Sequence, residues 1–272
     1  MNLIQLSAFD LSVAAVLVLM LAGLSVYMQL GVTRPLIVSA LRTVIQLSLV
    51  GFILQIVFSA PHPIWITLMA LVMLTVAGYE TMARQRRRFS GWWGYGVGAI
   101  SMFVSTFAVT VFALVVIIGN DPWYTPQYAI PLLGMMFGNT MNGISLGLDR
   151  LTQTVWQQRA VIEARLALGH GAREAVAEIR RDATRSGMMP IINGMAAAGI
   201  VSLPGMMTGQ ILAGTPPIEA VKYQILIMFM IAAGTGFGTF AAISLGSRRF
   251  FDERQRLRPE RLRQPDNSGA KQ

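Results

Sequence analysis

Residues 150–190 read RLTQTVWQQRAVIEARLALGHGAREAVAEIRRDATRSGMMP, the one long polar stretch in an otherwise apolar chain. It carries Arg150, Arg159, Arg165, Arg173, Arg180, Arg181 and Arg185 against Glu163, Glu174, Glu178, Asp182 and the preceding Asp149. Ionised groups at this density need water, so the stretch lies beside a membrane rather than within it. Its apolar residues nevertheless keep a helical period. Val155, Ile162 and Leu166 share one face, Ala172, Val176 and Ile179 another, and helix propensity collapses between them at Gly169-His170-Gly171. The pattern predicts two short amphipathic helices joined by an elbow. Apolar faces in water must be covered, either by the membrane ends of the same chain or by a second protein docking from the cytoplasm; the second is the expectation.

The rest of the chain frames this stretch with lipid-soluble helices. Of 272 residues 54% are hydrophobic and only 13% charged, with a mean hydropathy of +0.54. A water-soluble domain with this composition would expose large apolar patches. The apolar runs are long and do not alternate, so the predicted class is all-α, a polytopic helical bundle, each crossing using about 20 residues. Spans are expected near 9–30, 36–58, 64–82, 95–118, 128–148, 188–212 and 222–246, seven in all. Leu11 to Leu30 is too long for a signal peptide and lacks its positive leader, so it reads as a retained first span.

Basic residues collect on one side of this arrangement. Arg34, the group Arg84, Arg86, Arg87 and Arg88, the arginines of 150–190, and the tail from Arg248 to Arg263 fall on alternate loops, while Ser59 to Pro63, Gly119 to Gln127 and Gly214 to Lys222 are nearly uncharged. Arginine-rich loops stay in the cytoplasm, so the N-terminus is expected outside and the C-terminus inside. Residues 1–248 are then expected to form a membrane-spanning domain with a cytoplasmic loop at 150–187, and 249–272 a basic tail that meets anionic headgroups and becomes disordered beyond Gln264.

Several function classes are excluded or made remote. The net charge of +9 is distributed as a topology signal, without interleaved stacking aromatics, so no nucleic-acid partner is expected. Lys222 and Lys271 are the only lysines and neither sits in a phosphate loop. No nucleophile elbow or zinc-protease motif occurs, and His62 and His170 fall on opposite sides, so no intrinsic catalysis and no cofactor held by this chain are expected. There is no cysteine.

Polar residues inside spans mark a pathway or interhelical glue. Arg42 and Gln46 lie four apart on span two, Asn139, Asn142 and Ser145 form a ladder on span five, and Asn193 lies on span six. Pro204-Gly205 interrupts an apolar run, so Ser202 to Gln210 is expected to kink or to break as in transporters with discontinuous helices. Methionine pairs Met135-Met136 and Met206-Met207 are candidate soft-metal ligands, though thioethers mainly fill space.

Four stretches carry a resemblance. Glu163-Ala164-Arg165 with Gly169 six positions after the glutamate resembles the docking loop of ATP-binding-cassette permeases, although Arg165 stands where the second alanine is usual and no apolar-Pro pair follows Ile179. The stretches 134–142, 162–169, 202–212 and 221–224 make the chain look like the bacterial iron-export permeases of the FetB type, related to plant aluminium-tolerance transporter subunits. The resemblance implies a multi-pass inner-membrane permease, a homodimer, coupled through Glu163, Ala164, Arg165 and Gly169 to a separate ATPase that binds ATP and Mg, and exporting iron or a chelate. The residues alone leave open an ion-gradient-driven transporter or channel, and a scaffold with a docking loop.

Overall fold

The computed structural model of the chain describes residues 7–59, 62–119 and 121–263. Among the described residues its regular structure is helical apart from one two-stranded ribbon and two isolated bridges. The helices are α1 (Ala8–Tyr27), α2 (Thr33–Ser59), α3 (Pro63–Ala83), α4 (Trp92–Phe112), α5 (Pro126–Gln157), α6 (Arg159–Ala167), α7 (Ala172–Ala175), α8 (Ala177–Ala197), α9 (Gly205–Leu212) and α10 (Pro217–Arg249). Helix α4 runs on into a π-helical turn, Ala113–Ile118, which stops at Gly119 with φ +62°. Five of these are long and apolar enough to cross a bilayer: α1, α2, α3, α4 with its π-turn, and α10. The other two expected crossings, over 128–148 and 188–212, correspond to α5 and to the pair α8 and α9.

The bundle is held where backbones approach most closely. Gly143 on α5 lies against Gly187 on α8 and Thr235 on α10; a Cβ there would stand 2.5 Å from the Thr235 methyl and 3.0 Å from the Gly187 carbonyl oxygen. One turn further, Gly147 meets Ala183 and Ile243. Small residues are needed here because lipid tails are as apolar as leucine, so association relies on close packing rather than on burial from water.

Two elements depart from the sequence reading, and a third decides between the kink and the break that it left open. Helix α5 does not stop at the membrane end but continues to Gln157, so Val155 lies on an extension of a span while Ile162 and Leu166 lie on the separate α6. Likewise α8 begins in the polar stretch at Ala177 and runs unbroken through Pro190 to Ala197. The run 188–212 is truly interrupted: Ala198 to Pro204 is non-helical, Val201 and Ser202 both donate to the Ala197 carbonyl, and Pro204 is the cap of α9 rather than a residue within a helix.

The basic tail is folded back on the protein as far as Arg263 and forms a clasp. Phe250 is fully buried, its ring 5.1 Å from that of Phe89 and tilted to it by 44°. Strand β1 (Arg88–Phe89) pairs antiparallel with β2 (Leu262–Arg263), joining the loop after α3 to the tail. Asp252 knots the turn between α10 and β2. Its carboxylate accepts the Arg254 and Arg256 amides and the side chains of Arg256 and Arg258, and the Arg256 amide above all pushes its pKa down to about 2. The expected disorder beyond Gln264 lies outside the described residues.

Candidate functional site

Two regions gather the polar residues the sequence singled out. The first is the elbow between α6 and α8. Leu168 closes α6, the Gly169 and His170 amides turn back onto the Leu166 and Arg165 carbonyls, and Gly169 takes φ +92°. No atom lies within 4 Å of where its Cβ would be, so backbone conformation rather than crowding requires the glycine. Arg165 turns inward, its guanidinium reaching Glu178 Oε2 at 3.1 Å and the Ala175 carbonyl at 3.3 Å, and so clamps α6 onto α7 and α8. Glu163 and Ala164 face solvent, and Glu163 shares a groove with Arg254 and Arg256 of the tail.

The apolar faces of this stretch are covered from within the chain, which corrects the expectation that a second protein covers them. Val155, Ile162, Val176 and Ile179 are buried in one cluster with Phe89, Phe250, Leu257 and Leu262, and Leu166 packs against it. Each such side chain contributes about 1.5–3 kcal/mol. Helical period showed that these faces had to be covered; it could not tell by what. What remains bare on α6 is a different stripe, Val161, Ala164 and Leu168, spaced three and four apart, with Leu168 80% exposed.

The second region is a polar flank along α2, α3, α5 and α8. Arg42 Nη2 lies 2.7 Å from Glu80 Oε1, Arg84 lies 3.7 Å from the other Glu80 oxygen, and Arg84 Nη1 donates to Asn142 Oδ1 at 2.8 Å. The sequence grouped Arg42 with Gln46 and missed Arg84, whose four-residue spacing from Glu80 was the available signal. Gln46, Asn142 and Asn193 are exposed in this single chain and Asn139 is half-buried, its amide bonded to the Met135 carbonyl at 2.8 Å. The antiparallel register, Gly143 on Gly187 and Gly147 on Ala183, sets Asn193 within about a turn of the level of Asn139. Asp149, the other acid near this end, is held by the Arg86 amide at 2.8 Å and by Gln153.

The interrupted helix stands apart from that flank. Ser202 and Gly205 are exposed, Pro204 is partly covered, and Gln210 on α9 holds a buried Oε1 without a hydrogen-bond partner, as does Gln224 on neighbouring α10. Met136 is buried, with Met135 and Met206 packed around the same cluster as Met188, Met195 and Met230; Met207 lies outside it. Among the described residues no group of three or more His, Asp or Glu side chains could hold a metal ion.

Comparison with known proteins places this arrangement. A family described as an uncharacterised protein family, UPF0014, matches residues 8–251, which takes in every membrane helix, the elbow and the start of the clasp. The chain belongs to the UPF0014 family. Among UPF0014 relatives, a membrane protein of Synechocystis sp. is 41% identical over 233 residues, covering 84% of this chain and 87% of its own. The Arabidopsis thaliana protein named ALUMINUM SENSITIVE 3 is 33% identical over 245 residues, 90% of this chain and 88% of its own. A protein of Escherichia coli named as the probable iron export permease FetB is 31% identical over 262 residues, 94% of this chain and 97% of its own. No solved structure matches. This UPF0014 chain is accordingly a multi-pass membrane protein with a permease-named relative.

Proposed function

We propose that the chain is the membrane-spanning subunit of an ATP-driven exporter of iron or a related metal chelate, acting as a homodimer with a separate ATPase that binds ATP and Mg. The observation that carries the reading is the polar flank: Gln46, Asn142 and Asn193 stand exposed within the expected spans of α2, α5 and α8. Facing hydrocarbon they would lose hydrogen bonds at a cost of about 1–3 kcal/mol each. A second copy across this flank removes that cost and encloses a passage lined by amides and guanidinium groups. Its acids are engaged, Glu80 by two arginines and Asp149 by an amide and Gln153, so the lining suits a metal already wrapped in ligand rather than a bare hard cation.

In this reading the chain crosses an inner membrane seven times with its N-terminus outside, α5 and the α8–α9 pair completing the five apolar spans. The ATPase docks on the bare α6 stripe Val161, Ala164 and Leu168, beside Glu163, and Gly169 allows the elbow to take its left-handed turn. Because Arg165 clamps α6 to α8, and α8 runs straight into the membrane, a push on α6 is transmitted to the flank. The test is Leu168→Glu, which leaves the buried face of α6 untouched. Co-purification with the ATPase and metal-chelate-stimulated ATP hydrolysis in proteoliposomes are expected to fall at least tenfold while folded yield holds. Unchanged docking, or transport by the purified chain without ATPase, overturns the proposal.

A further inference from the structure

The opposite side of α8, where it meets α10, holds a feature that the transport reading does not use. Two adjoining cavities, about 650 and 570 Å³, share Arg180, Phe240 and Ser244. The first is lined by Arg173, Arg180 and Arg248, the second by Arg180, Arg181 and Arg185 before it continues over Met188, Ile192 and Phe240. One end is therefore cationic and the other apolar.

The cations are uncompensated. Asp252 is the one carboxylate lining either cavity, and its oxygens are already taken by Arg256, Arg258 and the amides of Arg254 and Arg256. Among the described residues no carboxylate pairs with Arg173, Arg180, Arg181, Arg185 or Arg248. Arg180 reaches Ser244 Oγ at 3.3 Å with one nitrogen, while its Nε is buried with no acceptor. A buried guanidinium N–H without an acceptor is costly, and an acceptor-rich anion in the cavity removes the cost.

The apolar end limits what that anion is attached to. Arg180, Arg181, Thr184, Arg185, Met188 and Ile192 follow one face of α8, and Arg180 to Ile192 spans about 18 Å, a little over half the ~30 Å hydrocarbon layer. That is the reach of one leaflet. Three of the tail arginines expected to meet headgroups are instead engaged in the clasp: Arg256 and Arg258 on Asp252, and Arg261 on the Arg249 and Phe251 carbonyls. We propose that the groove between α8 and α10 is a specific site for one anionic phospholipid, its phosphate among Arg173, Arg180 and Arg248 and an acyl chain along Met188, Ile192 and Phe240. A lipid held there wedges α8 against α10 on the side away from the polar flank, a position from which it steadies α8.

Native mass spectrometry of the protein in detergent, titrated with phosphatidylglycerol, phosphatidylcholine or inorganic phosphate, tests this. The expected result is saturable binding of one phosphatidylglycerol, at least tenfold tighter than phosphatidylcholine, with inorganic phosphate failing to displace it. Arg180→Gln and Arg248→Gln each weaken it about tenfold. Arg34→Gln and Arg86→Gln, basic residues outside the groove, leave it within twofold. Ile192→Trp, a surface change that fills the apolar end, weakens phosphatidylglycerol binding even if the arginine variants fold poorly. Displacement by inorganic phosphate with Ile192→Trp silent overturns the lipid in favour of a soluble anion. Equal loss in the Arg34 and Arg86 variants, or no saturable binding, reduces the groove to part of a general basic field.

Discussion

Helices α1 and α2 and the trio α5, α8 and α10 answer opposite demands of the same membrane. The first two are among the most apolar segments of the chain, yet almost nothing on them is buried: Ala22 and Ser25 on α1, Val57 on α2. The hairpin leans on the body through Ile53, Leu54 and Val57, which pack in the cluster that holds Met136 and Ile191, and through the Arg42–Glu80 ion pair. By contrast α5 and α8 miss the standard for an apolar span, although α5 carries the longest set of buried residues in the bundle. Hydropathy in a membrane protein reports what faces lipid; the packed centre is written in glycine, alanine and hydroxyl residues that let backbones close in.

A phenylalanine in each region gives the widest separation. Phe250, at the foot of α10, is fully buried against Phe89, whereas Phe52 on α2 is 70% exposed. Phe250→Ala is expected to cost about 3–5 kcal/mol, through lost contacts and the cavity left behind. Phe52→Ala should stay within about 0.5 kcal/mol, because lipid or detergent replaces what the ring touched. Thermal unfolding of both variants in one detergent checks the pair, and a Phe52→Ala loss comparable to that of Phe250→Ala would mean that α2 is covered by protein, most simply by a second copy.

Glycines sharpen the same contrast at smaller scale. Gly143→Ala brings a methyl within 2.5 Å of Thr235 and 3.0 Å of the Gly187 carbonyl, an overpacking expected to cost about 1–3 kcal/mol. Gly51→Ala on α2 meets open space and should be neutral or gain up to about 1 kcal/mol in helix stability. The melting temperature should fall for the first and hold or rise for the second. The reverse order would show that the centre relaxes where α2 does not.

These differences also explain what could be read from the residues. The apolar spans were legible because a run of about 20 lipid-soluble residues has few other uses. The interruption after Ala197 was legible from Pro204-Gly205, and the elbow from Gly169. The clasp was not. Arg254, Arg256, Arg258 and Arg261 look like lipid-facing cations until Asp252 and backbone carbonyls far from them in chemistry, though near in sequence, are seen to hold most of them. The polar flank was half legible: Arg42, Asn139, Asn142 and Asn193 stood out as costly groups within spans, but the Glu80 and Arg84 links depend on how α2, α3 and α5 are placed side by side.

The smallest expected effect bears on whether the clasp is held by charge as well as by Phe250 and Leu262. Asp252 has its carboxyl lowered from 3.8 to about 2, chiefly by the Arg256 amide, so the folded tail favours the ionised form. A group with a depressed folded-state pKa stabilises at pH values above its unfolded pKa and loses that contribution as pH falls through the folded value. The clasp should therefore be equally firm at pH 7 and pH 5 and loosen between about pH 4 and pH 2. Pepsin, active across that window, reads the change as cleavage near Phe250 and Phe251, with Asp252→Asn as the reference at each pH because it cannot ionise. The wild-type tail should resist better than the Asp252→Asn tail at pH 4 and lose that advantage by pH 2. Equal cleavage of the two at pH 4 would mean that the knot adds nothing and that the apolar side chains alone close the tail over α6 and α8.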